Sequence, residues 1–217
     1  MRNPKNSWDK SDSYAAVDCE SCGLIEEKGI CKKEDRIGRC REFECYKIGP
    51  NDLKLMKTLR QAGTDHRKYL RMITVSVDIT APLYWWKEAD TYKVNTVANS
   101  CSTMHKLMAK SFEASDFSCE HLTAYSMKHL DDLIIYLNLM RDTYLTLINN
   151  NPEAAKEVWW QVIQLLPTSY NQKRTFLLNY EVLNNMCHSR KNHKLDEWSI
   201  GFMDWVKTLP YAEELIL

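Results

Sequence analysis

The sequence has no surplus of charge of either sign: Lys plus Arg and Asp plus Glu number 29 each, for a formal net charge of zero. That balance gives no support to a globally basic surface for nucleic acid, and it leaves no net repulsion to keep copies of the chain apart. No apolar run approaches the length of a membrane span, and the opening segment MRNPKNSWDK lacks the apolar core of a signal peptide. A cytoplasmic location is the expectation. Repeats and low-complexity tracts are absent too, so the 217 residues read as one large domain or one domain with a small appendage. What the chain does have is core material: 44% of it is hydrophobic, with seven Trp and eleven Tyr.

In a cytoplasmic setting the eight cysteines are expected as thiols or metal ligands rather than disulfides. Cys19, Cys22, Cys31, Cys40 and Cys45 crowd into one short segment. Cys19-x-x-Cys22 has the spacing that lets two thiolates reach one tetrahedral ion, and Gly23, Gly29 and Gly38 supply turns. Cys19, Cys22 and Cys31 with either Cys40 or Cys45 can close a structural zinc site, and an iron–sulfur cluster would use the same ligands. The alternative is a reduced loop with incidental cysteines. Residues 1–48 are thus set apart as a cysteine-rich N-terminal segment, ahead of an α+β domain over 49–217.

The chain is organised around His66 to His105. A basic cluster, His66, Arg67, Lys68 and Arg71, precedes a run with Val75, Val77 and Ile79 on one side and Ser76, Asp78 and Thr80 on the other. That alternation predicts a half-buried strand ending at Pro82, followed by an aromatic turn, Leu83-Tyr84-Trp85-Trp86. Around it the pattern is helical. A helix is expected from Asn51 as N-cap to Gly63, with Leu53, Met56 and Leu59 inward. A long amphipathic stretch, Glu120 to Asn150, carries Leu122, Tyr125, Leu130, Leu133, Ile134, Leu137, Met140, Tyr144 and Leu147 on its apolar face, as one helix or two. Another helix is capped by Asn151 with Pro152 at its first position and stops at Pro167. Further helices are expected over 174–190 and from Leu195 to Leu209. With helices dominant and strands few and grouped, the class is α+β with a small central sheet.

The order of these features resembles the flavin-dependent thymidylate synthases. A His ahead of a strand, the segment D-I-T-A-P-L-Y-W-W, a polar stretch, then L-L-P and a segment ending in Arg carry the resemblance over about residues 52–210. It implies a homotetramer with the flavin between subunits, methylating dUMP to dTMP with FAD, NADPH and methylenetetrahydrofolate. By position, His66 would contact FAD and Asn179 would help hold it. Arg190 would clamp the dUMP phosphate or polarise the uracil. The family's R-H-R-x7-S motif is represented here by Thr91-Tyr92-Lys93, with Lys93 as the surviving charge. Strict spacing puts Cys101 at the serine position; a one-residue insertion puts Ser102 there and aligns Asn99 with the family's Asn. Cys101 also raises the option of thiolate addition to C6 of uracil. A second family Arg corresponds to Ile163, and the family's A-Q-W-E tail to Asp196-Glu197-Trp198. Loss of guanidinium groups removes bidentate anion contacts that Lys does not replace. Two other readings stand beside this one. One is a diverged flavin- or nucleotide-binding relative acting on another pyrimidine nucleotide; the other is a non-catalytic, metal-containing binding protein.

Overall fold

A computed structural model describes residues 10–17, 44–100 and 106–217. The chain divides into two compact units, one of Met1–Met72 with Tyr211–Leu217 and the other of Ile73–Pro210.

In the first unit, β1 (Tyr14–Val17) pairs antiparallel with β2 (Glu44–Lys47), which places Cys45 opposite Ala16. Helix α1 (Pro50–Gln61) starts two residues earlier than expected: Gly49 is its N-cap and Pro50 opens it. Proline suits that place because its fixed φ is already helical and its missing N–H would have had no partner. Asn51 therefore lies inside the helix. The capping oxygens come from Asp12, whose carboxylate accepts from the backbone N–H of Asn51 (2.8 Å) and of Asp52 (3.0 Å). Met56 and Leu59 form the buried face, and Gly63, at φ +98°, turns the chain after the helix. Arg60 donates to the carbonyls of Glu214 (3.2 Å) and Ile216 (3.1 Å) and so fixes the C-terminal turn.

The second unit is built on a three-stranded antiparallel sheet. Its strands are β3 (Thr74–Pro82), β4 (Val97–Ser100) and β5 (Asn171–Asn179), in the order β3-β5-β4. Along β3 the expected alternation holds, with Val75, Val77 and Ile79 half-buried and Ser76, Asp78 and Thr80 exposed. The aromatic turn after it is a helix, α2 (Leu83–Ala89), burying Trp85, Trp86 and Ala89. Helix α3 (Ala124–Leu147) is a single helix, capped by Thr123. Leu122 and Tyr125 sit at its open end, 42% and 74% exposed, and so drop out of the expected apolar face. Helix α4 (Pro152–Leu165) begins as expected, with the Asn151 side chain accepting from Ala154 N–H. Leu130 and Leu137 of α3 pack with Val162 of α4 and with Phe112 and Phe117.

Two expectations are corrected. The segment 174–190 is not one helix: β5 runs to Asn179, and only Tyr180–Arg190 is helical (α5). Phe176 and Leu178 are buried while Thr175 and Leu177 are exposed, which is the period of a strand. The last predicted helix, Leu195 to Leu209, opens instead as a π-helical turn, Glu197–Phe202, before continuing as α6 (Met203–Lys207). Of the four residues expected to face inward, Trp198, Phe202 and Val206 are buried and Trp205 is half-buried. Among the described residues, no helix is long and apolar enough to cross a membrane.

Candidate functional site

The sheet brings the two ends of the predicted nucleotide machinery together. Strand β4 carries the motif segment and β5 leads into α5, and Asn99 of β4 stands opposite Thr175 of β5. Asn179 is the hinge of the arrangement. It is fully buried, the last residue of β5 and the N-cap of α5. Its Oδ1 accepts from Val182 N–H at 3.0 Å, and its Nδ2 donates to the carbonyls of Val94 (3.0 Å) and Asn95 (3.1 Å). The loop after the T-Y-K triplet is thereby tied to the start of α5, with Asn95 in the left-handed region at φ +58°. Both amide protons of Asn179 are spent on the protein itself, so its part here is to position the loop.

At the far end of α5, Arg190 turns back onto the triplet. Its Nε donates to the Tyr92 hydroxyl at 3.0 Å, and its guanidinium carbon lies 5.6 Å from the Tyr92 ring centre and 5.1 Å from that of Trp198. One guanidinium nitrogen lies 2.9 Å from Oε2 of Glu88, which also has His193 Nε2 at 3.4 Å. A second guanidinium, Arg174, repeats the theme. It stacks 4.4 Å over Trp86 and donates to both carboxylate oxygens of Asp90, at 3.0 and 3.1 Å. Glu88 and Asp90 stand just ahead of Thr91-Tyr92-Lys93 in the chain. Nothing in the periodicity singled them out. The available signal was two acids adjoining a triplet expected to be basic.

On the other side of the aromatic stack lies a cleft of ≈ 360 Å³. Val77 and Ile79 of β3 form one wall, and Trp85, Glu197, Phe202 and Trp205 the other. Trp85 stacks on Trp198 with centroids 4.4 Å apart, so one aromatic column separates the cleft from Arg190. The described lining includes Asp78 and Glu197 and no cation, which makes it unsuited to a phosphate. Glu197 accepts a hydrogen bond from the Tyr84 hydroxyl. Burial, reinforced by that hydrogen bond, pushes the Tyr84 hydroxyl up to about 12. The folded state thus holds this proton to higher pH than the unfolded chain does, and the associated stability is intact below about pH 10 and lost as pH rises towards 12. Tyr84→Phe is expected to flatten the fall of Tm between pH 10 and 12, measured against the parent protein by thermal melts. Equal slopes would discount the burial of this hydroxyl.

Lys93 is exposed, and so is Asn99 on the outer face of β4. His66 is exposed and belongs to the other unit, its N–H bonded to the Gly63 carbonyl at 3.0 Å. Cys101 and Ser102 lie outside the described residues, as do Cys19, Cys22, Cys31 and Cys40; Cys45 is described only as part of the β2 backbone. Among the described residues no group of three or more His, Cys, Asp or Glu side chains is placed to hold a metal ion, and the zinc expectation gains no support. Among the described residues, Cys119 and Cys187 are not disulfide-bonded.

No family model matches the chain, and no curated protein matches it significantly. Solved structures do. A crystal structure of the flavin-dependent thymidylate synthase ThyX from Helicobacter pylori, complexed with FAD and dUMP, is similar with a TM-score of 0.53 and 17% identity. The match covers 77% of this chain and 83% of that one. A second Helicobacter pylori ThyX structure, also with FAD and dUMP, gives the same TM-score and identity over 77% and 82%. Helix-rich with a small three-stranded sheet, the chain shares that fold.

Proposed function

We propose that the chain is a flavin-dependent enzyme of the thymidylate synthase type, carrying out the reductive methylation of dUMP with FAD, NADPH and methylenetetrahydrofolate in a homotetramer. The observation that supports this reading is the fold itself. It is shared over most of both chains with proteins crystallised with FAD and dUMP, and Arg190 reaches Tyr92 of the Thr91-Tyr92-Lys93 triplet. In this reading Arg190 receives the nucleotide phosphate, Lys93 and Asn99 line its approach, and Asn179 fixes the loop between them.

The charges argue against an unmodified version of that chemistry. Arg174 and Arg190, the guanidinium groups beside the motif segment, each already face a carboxylate, and Ile163 stands where the resemblance expects another Arg. As arranged, both guanidinium groups are engaged by carboxylates rather than open to a phosphate. The same pairs favour a second reading, a relative that binds flavin and a pyrimidine nucleotide but forms no dTMP.

An absorption spectrum of the purified, FAD-reconstituted protein tests both. Flavin bands together with dUMP-dependent NADPH oxidation and dTMP formation support the first. Flavin bands without dTMP support the second, and a colourless protein that takes up no FAD removes both.

A further inference from the structure

Arg190 and Arg174 are both paired guanidinium groups, but the two pairs are built differently. Arg174 donates from Nη1 to both oxygens of Asp90 and from Nε to Gln172 at 2.8 Å, so its guanidinium is held by three aligned hydrogen bonds. Arg190 meets Glu88 at charge-contact distance, yet Oε2 of Glu88 is buried without an aligned hydrogen-bond donor. That oxygen is held by charge contact, 2.9 Å from Arg190 and 3.4 Å from His193, without the directional hydrogen bond a buried carboxylate usually makes.

We propose that Glu88 is a built-in competitor for the anion site: it holds Arg190 until a ligand's phosphate displaces it, and so sets how strongly the site discriminates for phosphate. The inference rests on the nucleotide-binding reading above. Three features support displacement. The guanidinium of Arg190 is held independently of Glu88, by the Tyr92 hydroxyl and by the faces of Tyr92 and Trp198, so it stays in place when the carboxylate leaves. Glu88 sits next to last in α2, and its side chain is one-third exposed, which gives it a route into water. A phosphate can offer Arg190 the aligned, charge-assisted geometry that Glu88 does not. The competing account is a plain structural ion pair. It predicts that removing Glu88 lowers stability and tightens nothing.

The test compares the full-length parent with Glu88→Gln and Glu88→Ala, titrating dUMP and deoxyuridine and following tryptophan fluorescence. Both variants are expected to bind dUMP about tenfold more tightly, the gain from one charge-assisted hydrogen bond freed of competition, with deoxyuridine affinity unchanged. Phenylglyoxal modification of Arg190, mapped by mass spectrometry, should also run faster in both. If dUMP affinity is the same in all three proteins, the inference fails while nucleotide binding stands. If none binds dUMP or deoxyuridine, the nucleotide reading fails. Inorganic phosphate then decides the matter. Protection of Arg190 from phenylglyoxal at about tenfold lower phosphate in the variants sustains competition by Glu88, and equal protection overturns it.

Discussion

Trp198→Ala is expected to cost the Ile73–Pro210 unit about 3–5 kcal/mol, a large share of the stability of an ordinary domain. Trp198 is fully buried, stacked on Trp85 at 26° and edge-on to Phe202 with centroids 5.1 Å apart. It also lies under Arg190, so the loss combines a core cavity with a released guanidinium. Its indole Nε1 is buried without a partner, so Trp198→Phe gives up volume but no hydrogen bond. That variant should recover most of the loss, leaving roughly 1–2 kcal/mol. Trp86→Phe should cost more than Trp198→Phe, because Trp86 Nε1 donates to the Gln172 carbonyl at 2.9 Å. Urea melts of the three variants measure the order. A cost below about 1 kcal/mol for Trp198→Ala would mean that the column is not a packed core.

Asn179→Ala should cost about 3 kcal/mol, from the lost helix cap and the two lost amide bonds to the loop. Asn179→Asp is the sharper probe. It keeps an oxygen for Val182 N–H but turns a carboxylate towards the carbonyls of Val94 and Asn95. It should therefore be the worse variant at pH 7. Those carbonyls disfavour the charged form in the folded state and raise that carboxyl's pKa above its unfolded value. The penalty is present above that range and shrinks as pH falls through it. Melts at pH 4 and pH 7 decide the point. A variant no worse than alanine at either pH would show that the two amide bonds contribute little.

Two of the local signals in the sequence that survived have a plain mechanism behind them. The alternation of Val75, Val77 and Ile79 is a strand because one face is packed, and Asn151-Pro152 starts a helix because cap and fixed φ agree. Strand β5 was hidden for a physical reason. Leu177 and Leu178 fall in helical register with Val182 and Met186, and the first half of the strand, NQKR, has no apolar period. Only pairing to both neighbours makes it a strand, and no window of the sequence contains those neighbours. The site was half legible. The sequence singled out both Arg190 and the triplet, and the fold joins them through Tyr92. Its occupation by Glu88 was not visible, because an acid and a cation separated by so much chain declare nothing until the sheet folds them together.

The strand order β3-β5-β4 also has a consequence in time. The middle strand is the last of the three to be made, and the register joins Thr74 to Asn179 and Ser100 to Arg174. Neither edge strand has a partner in this sheet until the ribosome has passed β5, whereas the hairpin of α3 and α4 closes on near neighbours in the sequence. Contacts of long sequence separation form slowly because the intervening loop must be closed first. The helical hairpin is thus the early structure, and the sheet, the Asn179 cap and the contact between Arg190 and Tyr92 all arrive in one late event. A chain cut short before β5 would keep the former and have none of the latter.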